Sequence, residues 1–150
     1  MTCGYFGIAL YRPKTSINVG TLLRTAHIFG AHFIHTIGAR YRRQPGDVLN
    51  STLHVPLYEH DDMPAFRRSL PRDCALVAVE IADGAIPLSQ HRHHERCCYL
   101  LGAEDDGLPP EVLAGCNRTL VLPGDRSLNL AVAGSIVLYD RIARGRTAQQ

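Results

Sequence analysis

The chain has 150 residues, 45% of them hydrophobic and 20% charged, a composition typical of a globular protein and not of a disordered one. Its length predicts a single domain across residues 1–150, large enough to bury a core. No apolar run approaches the ~20 residues that a membrane span needs. The N-terminus also lacks the charged start and apolar stretch of a signal peptide, so we expect a cytoplasmic protein.

Charge and cysteine content narrow the classes further. The net charge of +2 does not by itself indicate nucleic acid, but Lys14 is the only lysine among sixteen basic residues. The guanidinium group of arginine binds phosphate and stacks on bases, so this bias weakly favours an RNA-binding protein. A genome whose codon usage favours arginine explains the bias equally well. Five cysteines without framework spacing favour a reducing compartment over a disulfide scaffold.

Short apolar runs alternate with segments of helical period, which predicts an α/β fold with a mainly parallel sheet flanked by helices. In chain order we expect strands over residues 5–11, 32–37, 75–80, 98–101 and 120–122, with a weaker one over 55–58. We expect helices over residues 19–29, 63–70, 110–113 and 130–144. A polar tail is expected from about residue 144.

The first predicted helix has clear boundaries. Asn18 can act as its N-cap and Gly30 as its C-terminal stop. One face repeats apolar residues at a spacing of four and three and consists of Leu22, Ala26 and Phe29. A second face has the same spacing, and a solvated surface would explain it; it consists of Gly20, Arg24 and His27.

The last predicted helix is apolar on nearly all sides over residues 130–138. A helix of this kind must be buried on nearly all sides. Four small residues would let another backbone come close: Ala131, Ala133, Gly134 and Ser135. We therefore expect one side to pack against the sheet and the other against a second subunit, with an ordinary core helix as the alternative.

Three stretches carry the functional signal: residues 18–24 (NVGTLLR), 101–109 (LGAEDDGLP) and 127–130 (SLNL). In order and spacing they resemble the three motifs of the SpoU family, within the SPOUT class of RNA methyltransferases. The resemblance extends from Tyr5 to about Ile142. One departure is Ala131, where family members commonly carry a hydroxyl residue.

The resemblance implies a C-terminal deep trefoil knot, a homodimer, and methyl transfer from S-adenosylmethionine to a ribose 2′-hydroxyl of RNA. The short length resembles the minimal members that modify transfer RNA, and the first motif favours the wobble nucleotide. Alternative substrates are a guanosine in the D-loop of transfer RNA and ribosomal RNA. The chain could instead be a non-catalytic RNA-binding module of the same fold. A generic α/β enzyme acting on a small molecule is a further alternative.

The same resemblance supplies candidate site residues. Those implied in catalysis are Arg24, Asn18, Glu104, Ser127 and Asn129. Those implied in cofactor binding are Val79, Leu101, Gly102, Leu122, Pro123, Ser127, Leu128 and Asn129. Independently, the sequence has neither a Gly-x-Gly-x-x-Gly turn after a strand nor a Walker loop, so neither a Rossmann nor a P-loop nucleotide site is predicted.

Arginine cannot readily act as a base, because the pKa of its guanidinium group lies above ~12 and the group stays protonated near neutral pH. We therefore expect Arg24 to grip a phosphate and stabilise the nascent alkoxide. Phosphate or water would take the proton, with His27 as an alternative base.

Basic residues after the second strand are candidates for RNA binding together with Arg24: Arg40, Arg42 and Arg43. Tyr41 between them could stack on a base. Weaker candidates for the same surface are Arg12, Arg126, Arg141 and Arg144.

Two other clusters invite a metal interpretation that the sequence does not support. Residues 91–98 (HRHHERCC) lack the paired spacing of zinc sites, and Cys97 and Cys98 would point to opposite faces of a strand. Asp105 and Asp106 lie beside Glu104 without further ligands nearby. We predict no metal.

Overall fold

A computed structural model describes residues 4–45 and 49–147. Seven parallel strands form one sheet in the order β3-β2-β1-β6-β4-β7-β5. Their bounds are β1 Tyr5–Tyr11, β2 Phe33–Ile37, β3 Leu57–His60, β4 Ala75–Val79, β5 Ile86–Pro87, β6 Arg96–Leu101 and β7 Arg118–Val121. The predicted α/β class with a mainly parallel sheet is confirmed.

Within the described residues, four α-helices cover the two faces of this sheet, and two short 3-10 helices lie at Ser51–Leu53 and Leu88–Gln90. The bounds of the α-helices are α1 Ser16–Phe29, α2 Met63–Ser69, α3 Pro110–Ala114 and α4 Leu130–Thr147. Side chains of α1 and α4 share one apolar cluster with one face of the sheet, and Phe66 of α2 and Val112 of α3 join the cluster on the other face. Each fully buried aliphatic or aromatic side chain of these clusters contributes roughly 1.5–3 kcal/mol relative to exposure.

Helix α1 begins earlier than its sequence predicts. Thr15 is the N-cap, and its side chain accepts a hydrogen bond from the backbone N–H of Asn18. The prediction that Asn18 caps the helix is therefore wrong: Asn18 lies in the first turn, where its side chain is free for other contacts. Gly30 ends the helix at a φ of 73°, as predicted, because glycine adopts this left-handed conformation without strain.

The other differences lie at the ends of elements. The two-residue strand β5 was not predicted, and β3 lies two residues later than expected. The polar segment expected from about residue 144 continues α4 as far as Thr147. Arg144 there pairs with Asp140 and donates to the carbonyl of Leu88 at 2.8 Å. Residues 148–150 lie outside the described part.

The close packing of α4 occurs within the chain. A Cβ on Gly134 would lie 2.6 Å from Leu22 Cδ2 and 2.9 Å from Ile8 Cδ1, so this glycine lets α4 approach α1 and β1. The opposite face of α4 is exposed and carries Val132, Ile136 and Tyr139. In the described residues, no helix is long and apolar enough to cross a membrane.

Candidate cofactor cleft and RNA-binding surface

Parallel strands bring their carboxyl ends to one edge of the sheet, where ligands of α/β proteins commonly bind. The loops that follow β4, β6 and β7 surround an open cleft at this edge. The cleft is lined by Val79, Glu80, Ile81, Leu101, Gly102, Ala103, Glu104, Gly107, Leu122, Arg126, Ser127, Leu128, Leu130 and Ala133. The second and third motifs thus meet in space.

The loop after β6 is a tight hairpin that only small residues permit. The backbone N–H of Gly107 donates to the carbonyl of Ala103 at 2.9 Å. A Cβ on Gly102 would collide with the backbone of Gly107, which itself has a φ of 62°. The two glycines of the second motif therefore set the shape of the cleft wall.

A chain of side-chain hydrogen bonds joins all three motifs. The amide nitrogen of Asn129 donates to Oδ1 of Asn18 at 3.2 Å, and the amide nitrogen of Asn18 donates to Oε1 of Glu104. Oε2 of Glu104 is buried and has no hydrogen-bond partner among the described residues. A buried oxygen of this kind costs free energy unless a ligand or water pairs with it.

Most of the predicted cofactor residues line the cleft: Val79, Leu101, Gly102, Leu122, Ser127 and Leu128. Pro123 and Asn129 do not line it. Asn129 and Asn18 instead line an adjoining apolar groove between α1 and α4. Of the residues predicted to act in catalysis, Glu104 and Ser127 line the cleft, whereas Arg24 is exposed on α1 and lines neither cavity.

Several lining residues escaped the sequence prediction. Glu80 and Ile81 directly follow β4, and Arg126 directly precedes the third motif. A signal for Glu80 existed, since polar residues just after buried parallel strands point toward the ligand edge. Leu130 and Ala133 belong to the first turn of α4. Because this turn is apolar throughout, the sequence did not indicate which of its residues face the cleft.

The basic segment after β2 is partly neutralised within the chain. Arg40 lies 3.0 Å from Asp61 and 3.7 Å from Glu59, and Arg43 bonds to Oδ1 of Asn50. Arg42 is exposed and its backbone N–H donates to Ser16.

Tyr41 packs against the core beside Gly20 of α1, and its hydroxyl is buried with no partner among the described residues. It fixes the segment to the helix that carries Arg24.

The arginines that were weaker candidates for RNA binding lie in different environments. Arg126 lines the cleft. Arg141 is only 3% exposed, and its guanidinium donates to the carbonyls of His94 and Glu95 and to the hydroxyl of Tyr99, so its assignment to an RNA surface is wrong.

The histidines of residues 91–98 form a structural network at the far end of the sheet. His93 bonds through Nε2 to Asp140 at 2.8 Å and through Nδ1 to Tyr99 at 2.6 Å. Burial lowers the pKa of His91 to about 4. Cys97 and Cys98 belong to apolar clusters on opposite faces of the sheet, as predicted. Within residues 4–45 and 49–147 no group of three or more potential ligands could hold a metal.

Known proteins resemble this chain along nearly its whole length. It is 26% identical over 129 residues to tRNA (guanosine(18)-2'-O)-methyltransferase of Escherichia coli, a match covering 82% of this chain but 56% of that protein. The chain therefore spans little more than half the length of that relative. It is 29% identical over 145 residues to tRNA (cytidine(34)-2'-O)-methyltransferase of Ancylobacter novellus, covering 90% of both.

Solved structures agree with these sequences. One described as "Structural insights into the 2-OH methylation of C/U34 on tRNA" superposes with a TM-score of 0.81 at 33% identity, covering 98% of this chain and 99% of that one. An AdoMet-bound rRNA methyltransferase from Sinorhizobium meliloti gives a TM-score of 0.80 at 25% identity, covering 94% and 57%. The profile of the SpoU rRNA Methylase family matches residues 5–139. The chain belongs to this family.

Proposed function

We propose that this chain is an S-adenosylmethionine-dependent RNA methyltransferase that modifies a ribose 2′-hydroxyl of transfer RNA, with the wobble nucleotide favoured. The observation that carries the proposal is the convergence of the second and third motifs on one cleft, to which the first motif is joined by the Asn129–Asn18–Glu104 hydrogen bonds. The proposal treats residues 1–150 as one methyltransferase domain.

The residues of the cleft fit the cofactor. Val79, Leu101, Leu122 and Leu128 provide apolar walls of the kind that hold an aromatic ring, and the glycine-rich hairpin exposes backbone polar groups. The buried Oε2 of Glu104, which has no partner in the described part of the chain, offers an acceptor to a polar or cationic ligand. Bound here, S-adenosylmethionine supplies an electrophilic methyl group on its sulfonium.

The remaining predicted residues receive positioning roles. Pro123 and Ser127 belong to the segment that leads from β7 to the cleft, and Asn129 holds that segment against Asn18. Aligning the methyl donor with the hydroxyl is the main task, since favourable orientation contributes roughly 7–11 kcal/mol in intramolecular reactions. The chain of hydrogen bonds keeps the three motifs in one arrangement for this purpose.

Arg24 acts on the RNA rather than on the cofactor. It is exposed and outside the cleft lining, so its guanidinium is available to a phosphate and to the oxygen from which the proton departs. The proton passes to phosphate or water. His27, one turn further along α1, stacks on His54 with ring centroids 4.3 Å apart, and its Nδ1 is buried without a partner among the described residues. This burial disfavours it as the base.

The RNA surface extends from Arg24 along the basic segment. Arg42 is exposed. Arg40 would exchange its acidic partners, and Arg43 the neutral amide of Asn50, for phosphates. Tyr41 holds the segment against α1 by packing beside Gly20. Such phosphate contacts would position the RNA, whereas contacts to the bases would recognise its sequence.

The share of each relative's length that aligns with this chain favours the wobble nucleotide over the D-loop guanosine as the substrate. The cytidine(34) relative and the C/U34 structure match this chain over 90% or more of both lengths, whereas the guanosine(18) relative matches over 56% of its own length.

We propose that the protein is a homodimer built on α1 and α4. Val132, Ile136 and Tyr139 form an exposed apolar face beside Phe29, and the adjoining groove reaches Asn18 and Asn129. An apolar face of this kind favours burial against a second copy.

We also propose that the C-terminal part forms the trefoil knot implied by the family. It is supported by the sheet order, in which β6 lies between β1 and β4 while β7 lies beyond β4. The segment between β7 and α4 then lies beside the loops after β4 and β6. An experimental structure traced continuously through residues 75–147 tests it.

The activity is tested with transfer RNA transcripts and radiolabelled S-adenosylmethionine, followed by nuclease digestion and mass spectrometry. A transcript with a 2′-deoxynucleotide at the wobble position is the control, because it lacks the acceptor oxygen. Methylation lost only with this control supports the proposal. Methylation at the D-loop guanosine would favour that alternative, and RNA binding without cofactor binding would indicate a non-catalytic module.

A further inference from the structure

The carboxylate of Glu80 is fixed in the wall of the cleft. Its Oε1 accepts a hydrogen bond from the backbone N–H of Ile81 and its Oε2 from that of Leu108, each at 2.9 Å. A Cβ on Gly107 would lie 2.5 Å from Oε2, so the glycine leaves the space that the carboxylate occupies. Glu80 is therefore held between the loops after β4 and β6 and does not swing out to solvent.

The cleft has an acidic lining. Its ionisable side chains are Glu80, Glu104 and Arg126. Arg126 is exposed, whereas both glutamates are half-buried, and charges withdrawn from water interact more strongly. A carboxylate that accepts two N–H donors still has free lone pairs for a ligand. The lining therefore favours a ligand with positive charge.

The two ligands of the proposed reaction differ in this property. S-adenosylmethionine carries a permanent positive charge on sulfur, whereas S-adenosylhomocysteine, the product, has a neutral thioether. We propose that Glu80 is a specificity-determining residue that makes the cleft select the cationic cofactor over the neutral product. This inference rests on the proposed function. Loss of the charge on methyl transfer removes the attraction, which speeds exchange of product for fresh cofactor.

Calorimetry with both ligands on purified protein tests the assignment. Glu80→Gln removes the charge and one acceptor but keeps the size. We expect the ratio of the product Kd to the cofactor Kd to fall about ten-fold, which corresponds to about 1.4 kcal/mol. Any loosening of the loops weakens both ligands alike and cancels in this ratio. The matched control is Glu95→Gln, an exposed glutamate just before β6 at the opposite end of that strand, which should leave the ratio unchanged.

A second variant separates charge from shape. Glu80→Asp keeps the charge but shortens the side chain, so both affinities should fall while the ratio stays near that of the wild type. Equal weakening of both ligands in Glu80→Gln, or no change in either, would overturn the assignment. If Glu80→Gln does not fold, the wild-type ratio measured at low and high salt replaces it, because screening weakens the attraction to the cation. A ratio independent of salt would then overturn it. Binding of neither ligand by folded wild-type protein would instead refute the proposed function.

Discussion

The side-chain amide of Asn129 donates a hydrogen bond to Oδ1 of Asn18 at 3.2 Å, across 111 residues of sequence. Its own Oδ1 accepts the backbone N–H groups of Ala131 at 2.9 Å and Val132 at 3.3 Å, so Asn129 also caps α4. One side chain thus both starts the last helix and ties it to the first motif.

Two substitutions separate these roles. Asn129→Ala removes the cap and the link, so we expect unfolding free energy to fall by about 1 kcal/mol and kcat to fall at least ten-fold, a factor worth about 1.4 kcal/mol. Asn129→Asp keeps the oxygen that caps α4 but lacks the amide donor to Asn18. Its thermal denaturation should stay close to wild type while methyl transfer falls as in the alanine variant. Full activity in Asn129→Asp would mean that the link to Asn18 is dispensable.

Arg24→Ala should abolish turnover and leave the Kd for S-adenosylmethionine within a few-fold of wild type. The physical reason is position: Arg24 is exposed on α1 and does not line the cleft. Calorimetry gives the Kd and single-turnover methylation gives the rate. Arg24→Lys is the matched control, which keeps a charge but loses the planar fork that binds phosphate, so partial activity is expected. A parallel loss of cofactor binding in Arg24→Ala would contradict this division of roles.

The sequence predicts the strands and the motifs because these depend on local pattern. Runs such as residues 75–79 are apolar throughout, and parallel strands must carry such runs. The second and third motifs follow β6 and β7, so parallel pairing brings them to one edge. The resemblance of these motifs to the SpoU family implied Gly102, Glu104 and Ser127 as site residues, and parallel pairing explains why the three meet at one cleft.

The errors have a different origin, since each depends on a contact between distant segments. Asn18 has the right chemistry for an N-cap, but Thr15 takes that position and frees Asn18 for Glu104. Arg141 resembles a surface cation, yet it is buried over the ring of Phe6, its guanidinium carbon 4.5 Å from the centroid. Glu80 was missed although it ends a predicted strand, because its hydrogen bond from the backbone N–H of Leu108 depends on the distant loop after β6.

Acid should destabilise the protein through His35. This ring is 3% exposed beneath Tyr58 and Phe66, and its Nδ1 lies 2.8 Å from Nε2 of His60. Burial, and secondarily the charge of His60, lowers the pKa of His35 from its ordinary 6.5 to about 4. The unfolded chain therefore binds the proton more readily, so stability is full above pH 6.5 and is lost as pH falls toward about 4.

The loss attributable to His35 should approach about 3 kcal/mol, the value of this shift at 1.36 kcal/mol per pH unit. Urea denaturation at pH 7 and pH 4.5 measures it. His35→Phe removes the titrating group from an aromatic environment and should reduce the acid-induced loss of unfolding free energy by about 2–3 kcal/mol on the same basis. His54→Gln, at an exposed histidine, is the control. Equal acid sensitivity of wild type and His35→Phe would refute the assignment.

The exposed face of α4 provides the test of the proposed dimer. Tyr139 is 60% exposed with its ring centroid 6.2 Å from that of Phe29, and Val132 and Ile136 continue the apolar face along the helix. Tyr139→Glu would place a charge in an interface whose association depends on excluding water, and unpaired buried charges are costly. We expect light scattering to show a dimer for wild type and a monomer for this variant, with an unchanged circular dichroism spectrum. Leu53→Glu is the matched control, since Leu53 is 80% exposed outside α1 and α4 and should leave the dimer intact. A wild-type monomer, or a Tyr139→Glu dimer of undiminished stability, would mean that this face does not mediate self-association.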